Sequence, residues 1–350
     1  MELSVVYAGW APTPVQQELA KRAEEAGFYR LWTTEGMGSD GLLKAMTLGL
    51  ATSTIRIGTG IAYSFVRSPF QAAAGAAVLA EALNGRFTLG LGAGTRGLRR
   101  WFGIEEDHPA PRFAEYADLI RAAWQAQGSF EFAGRFVTAR VPDLHFQADR
   151  AVLSSLEVYG SGVNRVILQT SAGHCHGVAL HPLAGFSPYL EDTVVPALDD
   201  GSQQALWRER KLWTSLWYIV SVHQDADVAR QRAARLLAFY FSTPSYQTPL
   251  QGTRWEQTGA ELRDGLRAGK SWDELARGVP REMIEATCLA GTAAEVRDKL
   301  ERVTSRLTPL GVDELVLEPP LTRSPGEFEE SMRGIISVLA ADGGRRVPPL

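Results

Sequence analysis

Residues 55–95 read IRIGTGIAYSFVRSPFQAAAGAAVLAEALNGRFTLGLGAGT. The stretch opens on a β-branched run, Ile55 to Ile61, followed by a polar turn. Ser68-Pro69 then starts a helix. Ser68 is the N-cap, Pro69 the first helical residue, and Gln71 stands three residues after the cap, the spacing of a capping box. The helix is almost all Ala, Val and Leu, so most of its faces can pack closely. Asn84-Gly85 stops it, because both residues accept the left-handed conformation of a helix end. A second strand, Phe87 to Leu91, ends in Gly92-Ala93-Gly94. This is a strand–helix–strand unit. Parallel strands need such a crossover, and ligands of parallel sheets sit at the carboxyl ends of the strands.

The same unit recurs along the chain. Leu3 to Tyr7 reads as a strand, Thr13-Pro14 caps a helix to Ala26, and Tyr29 to Thr34 is the second strand with Glu35 at its end. Gly36 to Gly41 reads as a flexible loop and Leu42 to Ala51 as a helix. After the organising unit come a loop from Thr95 to Pro109, a helix from Pro111 to Ala126 and a hairpin at Phe130 to Ala139. Further strands are expected at Leu156–Gly160, Val178–His181, Leu216–Val222 and Leu315–Leu317. The intervening helices are Val163–Ala172, one capped by Ser187-Pro188 and ending near Asp199, Ala226–Phe241 and Thr292–Leu307. A last helix covers Pro325–Ala340, and the tail GGRRVPPL is expected to fray. Strand and helix alternate about eight times, the count of a (β/α)8 TIM barrel, with a doubly wound sheet as the alternative. The α/β fold is read as one domain over residues 1–350. A helical insertion, residues 242–290, precedes the last helix and strand.

Composition narrows the function. A hydrophobic content of 45% with 22% charged residues is that of a globular protein. A net charge of −4 without a basic stripe argues against nucleic acid. No segment approaches the length of a membrane span, and the N-terminus has neither the basic start nor the apolar core of a signal peptide. Two cysteines without metal spacing, Cys175 and Cys288, read as reduced thiols of a cytoplasmic protein.

Gly92, Gly94 and Gly97 spell G-x-G-x-x-G after a strand. No apolar helix begins at Gly97 and no acidic residue ends a strand about 20 residues on, so a small-residue loop explains these glycines better than a dinucleotide site. His174, Cys175 and His176 stand too close on one loop to share an ion, and no metal is expected. Glu35, His181, His223 and Glu318 fall at strand ends, where each is either an acid–base group or a structural one. Trp213, Trp217 and Trp255 read as packing.

Several runs together resemble the luciferase-like monooxygenase superfamily of flavin- and deazaflavin-dependent oxidoreductases. They are Ala23 to Trp32, Gly58-Thr59-Gly60-Ile61-Ala62, Arg67-Ser68-Pro69, Gly85-Arg86-Phe87 through Gly94, Gly177 with His181-Pro182, Phe239 to Pro244, and Gly291-Thr292 with Glu295-Val296. The resemblance covers nearly the whole chain and is greatest to the deazaflavin branch. It implies a (β/α)8 barrel with an insertion and a cofactor ring across the strands' carboxyl ends. It also implies a non-prolyl cis peptide, here Gly60–Ile61, that props the ring.

The resemblance gives each candidate a role. Gly60, Ile61 and Ala62 would support the ring, with Gly92, Ala93 and Gly94 beside it. Ser161, Gly162, Asn164 and Arg165 would meet the phosphate. Glu35, Tyr63 or His181 would serve acid–base steps. The cofactor would be flavin mononucleotide (FMN) or a deazaflavin of the coenzyme F-420 type. A homodimer acting on a small-molecule substrate is the expected form. There are departures. Relatives often carry an Asp-His or Asn-His pair after the Glu that ends the second strand, where this chain has Gly36-Met37-Gly38-Ser39. A Gly-Pro after the fifth strand is replaced within Tyr159 to Arg165, and Ala-Asp-Gly by Cys175-His176-Gly177.

Two enzymatic readings follow. In the first, the chain is an oxidoreductase using reduced flavin or deazaflavin on a small organic substrate, possible without the missing His because placement matters most to hydride transfer. In the second, the barrel has lost its cofactor and binds a larger natural-product substrate for a cyclisation or isomerisation, driven by proximity and conformational restriction. A non-catalytic binding subunit is the third reading.

Overall fold

A computed structural model describes residues 1–340 apart from Met37, Glu106, Asp107 and Leu206. The tail expected to fray lies outside the described residues, as does Met37 of the Gly36–Gly41 loop.

The chain opens with β1 (Glu2–Tyr7), α1 (Thr13–Glu25), β2 (Arg30–Thr33), α2 (Gly41–Gly49), β3 (Arg56–Thr59) and a two-residue β4 (Ala62–Tyr63). There follow α3 (Pro69–Ala82), β5 (Phe87–Gly92), α4 (Arg96–Trp101), α5 (Pro109–Gln125), β6 (Gly128–Ala133) and β7 (Thr138–Leu144). Next come α6 (Arg150–Ser155), β8 (Glu157–Gly162), α7 (Arg165–His174), β9 (Gly177–Leu180), α8 (Val195–Gln204) and β10 (Trp213–Val222). The last part holds α9 (Ala226–Ser242), α10 (Glu256–Arg267), α11 (Trp272–Ala276), α12 (Arg281–Thr287), β11 (Cys288–Gly291), α13 (Ala293–Leu307), β12 (Glu314–Glu318) and α14 (Pro325–Ala340). The strands β1, β2, β3, β5, β8, β9, β10 and β12 alternate with helices, and the chain is a (β/α)8 barrel.

The chain divides into two compact units. Unit 1 comprises Met1–Tyr29, Leu180–Asp192 and the chain from Ser215; unit 2 comprises Arg30–Ala179 and Thr193–Thr214. In unit 2, β2, β3, β5 and β8 pair in parallel in that order. Their residues are buried on both faces, which explains continuous apolar runs in place of alternation. The Ser68 hydroxyl caps α3 through the Gln71 N–H, as the spacing predicts. Asn84 takes φ +51° and Gly85 +75°, the left-handed stop. The expected hairpin is β6–β7, and Glu115 on α5 pins its turn by accepting the N–H groups of Arg135, Phe136 and Val137.

In unit 1, β12 pairs in parallel with both β1 and β10, and β10 with β11. The core under the segment between α9 and β11 is apolar, built from Leu237, Phe241, Leu262, Leu275 and Met283 among others.

Three elements differ from the sequence reading. The loop after Thr95 contains α4, because the Thr95 hydroxyl accepts the Leu98 N–H and caps it. Ser187-Pro188 stands just before the expected helix, but the Ser187–Pro188 peptide is cis, the run opens as a π-helix over Leu190–Val194, and its α-helical part is Val195–Gln204, past the expected end near Asp199. β11 forms where no strand pattern is visible, since four residues are too few to show one.

Candidate functional site

Unit 2 contains all the expected cofactor-side residues, and Glu35 and Tyr63 with them; His181 belongs to unit 1. β3 and β5 approach so closely that a Cβ at Gly90 would stand 1.8 Å from the Thr59 carbonyl oxygen. Thr59 Oγ1 donates to the Gly90 carbonyl at 2.7 Å and accepts the Gly90 N–H at 2.9 Å. Past Thr59 the chain turns through a cis Gly60–Ile61 peptide, the bond that the resemblance singles out. The Gly60 N–H donates to the Thr33 carbonyl at 2.7 Å, and the Glu35 N–H to the Ile61 carbonyl at 3.2 Å. β4 then pairs with the end of β5, Ala62 opposite Leu91 and Tyr63 opposite Gly92.

Gly92 is the meeting point of three strand ends. A Cβ there would lie 2.2 Å from Ile61 Cδ1 and 2.3 Å from Ser161 Oγ. Gly94 has φ +67°, and a Cβ on it would lie 3.3 Å from the Tyr63 ring. Glycine is required at both positions because Ile61 and Tyr63 lie across the end of β5. Beyond Ser161 and Gly162, Asn164 precedes α7 without a side-chain cap, so no side chain of its own covers the first amides of the helix. Arg165 Nη2 donates to Asp200 Oδ2 at 2.7 Å, and both side chains are about half exposed.

Glu35 is fully engaged. Its Oε2 accepts the Tyr63 N–H at 2.5 Å and Arg67 Nη1 at 2.9 Å, while Oε1 accepts Arg67 Nη2. Arg67 also reaches Asp40 Oδ2 at 3.2 Å, and Asp40 Oδ1 caps α2 through the Leu42 and Leu43 N–H groups. Burial acts to lower the Arg67 pKa, but the hydrogen bond and charge of Glu35 and the charge of Asp40 raise it overall. The Tyr63 phenol is pushed up to about 12, first by burial and then by the Glu35 charge. It therefore stays protonated at neutral pH and can donate a hydrogen bond. Glu35, with both oxygens bonded to donors, is built to hold Arg67 and the Tyr63 backbone. A cleft of ≈ 460 Å³ opens beside this pair, with Tyr63, Phe65, Phe102 and Ile104 on its apolar side and Ser39 and Asp40 on its polar side. Such a lining suits a largely apolar small molecule with one or two polar groups.

In unit 1 the His181 Nδ1 accepts the Leu183 N–H at 3.3 Å, and burial lowers the imidazole to about 3. It is neutral at physiological pH and has no proton to give as an acid. His223 Nδ1 accepts the Asp225 N–H at 3.0 Å, a loop role. In unit 2 His174 pairs with Asp118 at 2.9 Å and His176 Nδ1 accepts the Val158 N–H at 3.0 Å. These neighbours serve separate partners, and the described residues hold no group of three or more metal-binding side chains. Among the described residues no helix is long and apolar enough to cross a membrane.

Reading the sequence missed Arg67 and Asp40 as members of the site. Arg67 stood out only within its Arg-Ser-Pro run; nothing in its spacing announces a partner 32 residues earlier.

The sequence model of one family, luciferase-like monooxygenase, matches residues 9–308. The chain belongs to the luciferase-like monooxygenase family. Among the relatives of this luciferase-like chain is 5,10-methylenetetrahydromethanopterin reductase of Archaeoglobus fulgidus. It is 26% identical over 307 residues, which cover 86% of this chain and 88% of the relative. The fold is shared with the coenzyme F-420 dependent tetrahydromethanopterin reductase of Methanopyrus kandleri. There the TM-score is 0.79 at 20% identity, over 97% of this chain and 98% of that one. It is shared also with the oxygenating constituent of 3,6-diketocamphane monooxygenase from Pseudomonas putida, solved with FMN. There the TM-score is 0.62 at 16% identity, over 98% and 99% of the two chains.

Proposed function

We propose that this luciferase-like protein is an oxidoreductase that uses reduced flavin or the deazaflavin coenzyme on a small, largely apolar organic substrate. The observation that carries the reading is the cradle at Gly92, where a Cβ would strike both Ile61 and Ser161. Three neighbouring strand ends meet there, and the flat ring would lie across them. Gly60, Ile61 and Ala62 would support the ring from one side, with Gly92, Ala93 and Gly94 beside it. Ser161, Gly162, Asn164 and Arg165 would hold the phosphate, chiefly through the uncapped amides at the start of α7. Two relatives whose names carry coenzyme F-420 and FMN make a flavin-type cofactor the favoured class. The cofactor supplies the two-electron chemistry when bound.

The protein's own residues supply placement and a proton. Tyr63 lines the cleft as a protonated phenol and would donate to a substrate oxygen. Glu35 and Arg67 fix Tyr63 through its backbone N–H and carbonyl, so both are positioning residues. Phe65, Phe102 and Ile104 would exclude water from the substrate.

The test is a titration with FMN and with coenzyme F-420, followed by cofactor fluorescence. Micromolar binding of either one, weakened about 3- to 10-fold by Arg165→Ala, is expected from the loss of one exposed phosphate contact of about 1 kcal/mol. Asp200→Asn should tighten binding, because it releases Arg165 from its present partner. A folded protein that binds neither cofactor would overturn the reading and direct attention to cofactor-free cyclisation.

A further inference from the structure

Two glycines on the wall of the unit 2 cleft are not accounted for by the fold. Gly36 and Gly38 are exposed and line the cleft with Tyr63. A Cβ on either would meet nothing within 4 Å among the described residues. At Gly90 and Gly92, by contrast, a Cβ would collide with neighbouring atoms. Gly36 does not take the left-handed φ that favours glycine. Its N–H donates to the Ser39 carbonyl at 3.1 Å and its carbonyl accepts the Ser39 N–H at 3.3 Å, bonds that any residue except proline could make. Neither space nor backbone conformation requires a glycine at position 36.

The rest of the lining says what the bare wall admits. The rings of Tyr63, Phe65 and Phe102 supply much of the apolar side of the cleft. Tyr63 and Phe102 stand 6.1 Å apart with their planes inclined by 51°. Aromatic walls favour an aromatic guest, which gains from offset or edge-on ring contacts beyond the area it buries. A dry apolar cavity of about 150 Å³ takes one benzene ring, so a cleft of ≈ 460 Å³ has room for about two or three rings.

Charge narrows the guest further. Among the described residues, the charged ones lining the cleft are Glu35 and Asp40. Arg67 is bonded to both oxygens of Glu35 and to Asp40 Oδ2. The Arg112 guanidinium stands over the Phe65 ring at 5.5 Å and is not part of the lining. An anion would face two carboxylates, and a cation would have to stand beside the guanidinium that already serves both. We propose that the substrate is an uncharged aromatic molecule of two or three fused rings, and that Gly36 and Gly38 set this size by leaving the wall bare where the rings lie. The inference rests on the cleft being the substrate site, as in the function proposed above, and not on which cofactor is bound.

The test is equilibrium dialysis of the full chain against 2-acetonaphthone, an uncharged two-ring ketone, alone and with saturating FMN or coenzyme F-420. Binding is expected, weakened about tenfold or more by Gly36→Leu and by Gly38→Leu, whose side chains would take the place of a ring. Gly36→Leu should melt no earlier than wild type, because free space and an ordinary φ let it restrict the unfolded chain without strain. Gly36→Ala, which adds one methyl group, should weaken the ketone about threefold. The anion 2-naphthoate and the cation 2-naphthylmethylamine, close to the ketone in shape, should each bind about tenfold more weakly than it does. Circular dichroism checks that each variant folds. No binding of the ketone under any of the three conditions, unchanged affinity in the glycine variants, or an ion that binds as tightly as the ketone would each overturn the proposal. Cofactor fluorescence is read separately. A bound cofactor without a bound ketone overturns the substrate class alone, and a bound ketone without either cofactor overturns the redox reading alone.

Discussion

At the scale of the residue, the site depends on how little room its glycines leave. Gly92→Ala places a methyl group 2.2 Å from Ile61 Cδ1 and 2.3 Å from Ser161 Oγ. Overpacking of this kind costs about 1–3 kcal/mol, and here it falls where the ring would lie. The variant should melt earlier and lose cofactor affinity; unchanged affinity would remove Gly92 from the site. Arg67→Met leaves Glu35, whose side chain is 8% exposed, without its cation. A buried charge left unpaired costs on the order of 3 kcal/mol, so the single variant should be strongly destabilised and the Arg67→Met/Glu35→Gln double variant partly restored. Denaturant unfolding of the two decides this.

Glu318 makes a pH-dependent prediction at the same scale. The folded protein keeps its proton up to about pH 7, while the unfolded chain releases it near 4.5, the ordinary value for a glutamate. Across that window the folded state binds more protons than the unfolded one. The contribution is full below about pH 4.5 and is lost as the pH rises to about 7, a change of about 3 kcal/mol. Glu318→Gln should therefore gain stability relative to wild type as the pH rises through this window. A difference in melting temperature that does not vary with pH would count against a neutral Glu318.

At the scale of the element, local sequence rules decide most boundaries. Ser68 at the start of α3, Thr292 at the start of α13 and Asn84-Gly85 at a helix end are legible because capping is a matter of a few adjacent residues. At Ser187-Pro188 the signal marks where the helical run begins but not its form, since the run opens as a π-helix over Leu190–Val194 and turns α-helical at Val195. Asp40 carries two duties: its Oδ1 caps α2 and its Oδ2 meets Arg67. Asp40→Ala should cost about 1–2 kcal/mol, mostly through the lost cap, because the half-exposed ion pair contributes little. Asp40→Asn, which keeps the cap, should recover most of the loss; equal loss in both variants would make the ion pair the larger part.

At the scale of the whole molecule, the eight barrel strands were legible because each is an apolar run followed by small or polar residues. The cofactor-side positions were legible too, as the glycine- and serine-rich ends of those runs. The pairing of Glu35 with Arg67 and of Glu318 with Tyr240 was not, because partners 32 and 78 residues apart leave no local pattern. Cofactor binding should be visible across the entire molecule. A ligand at about 100 times its Kd stabilises the folded state by about 2.7 kcal/mol, so FMN or coenzyme F-420 should raise the melting temperature by several degrees. Absence of any shift with either would agree with a failed fluorescence titration and leave the cofactor reading without support.

The glycines at the end of β5 have a consequence for the descent of such barrels. Gly90 is demanded by a carbonyl oxygen of β3, and Gly92 by two side chains, before any cofactor arrives. Selection for folding alone would keep them in a descendant that had given up redox chemistry. The close meeting of these strand ends would then be inherited as a by-product of assembly, while the acid–base residues around it drifted freely.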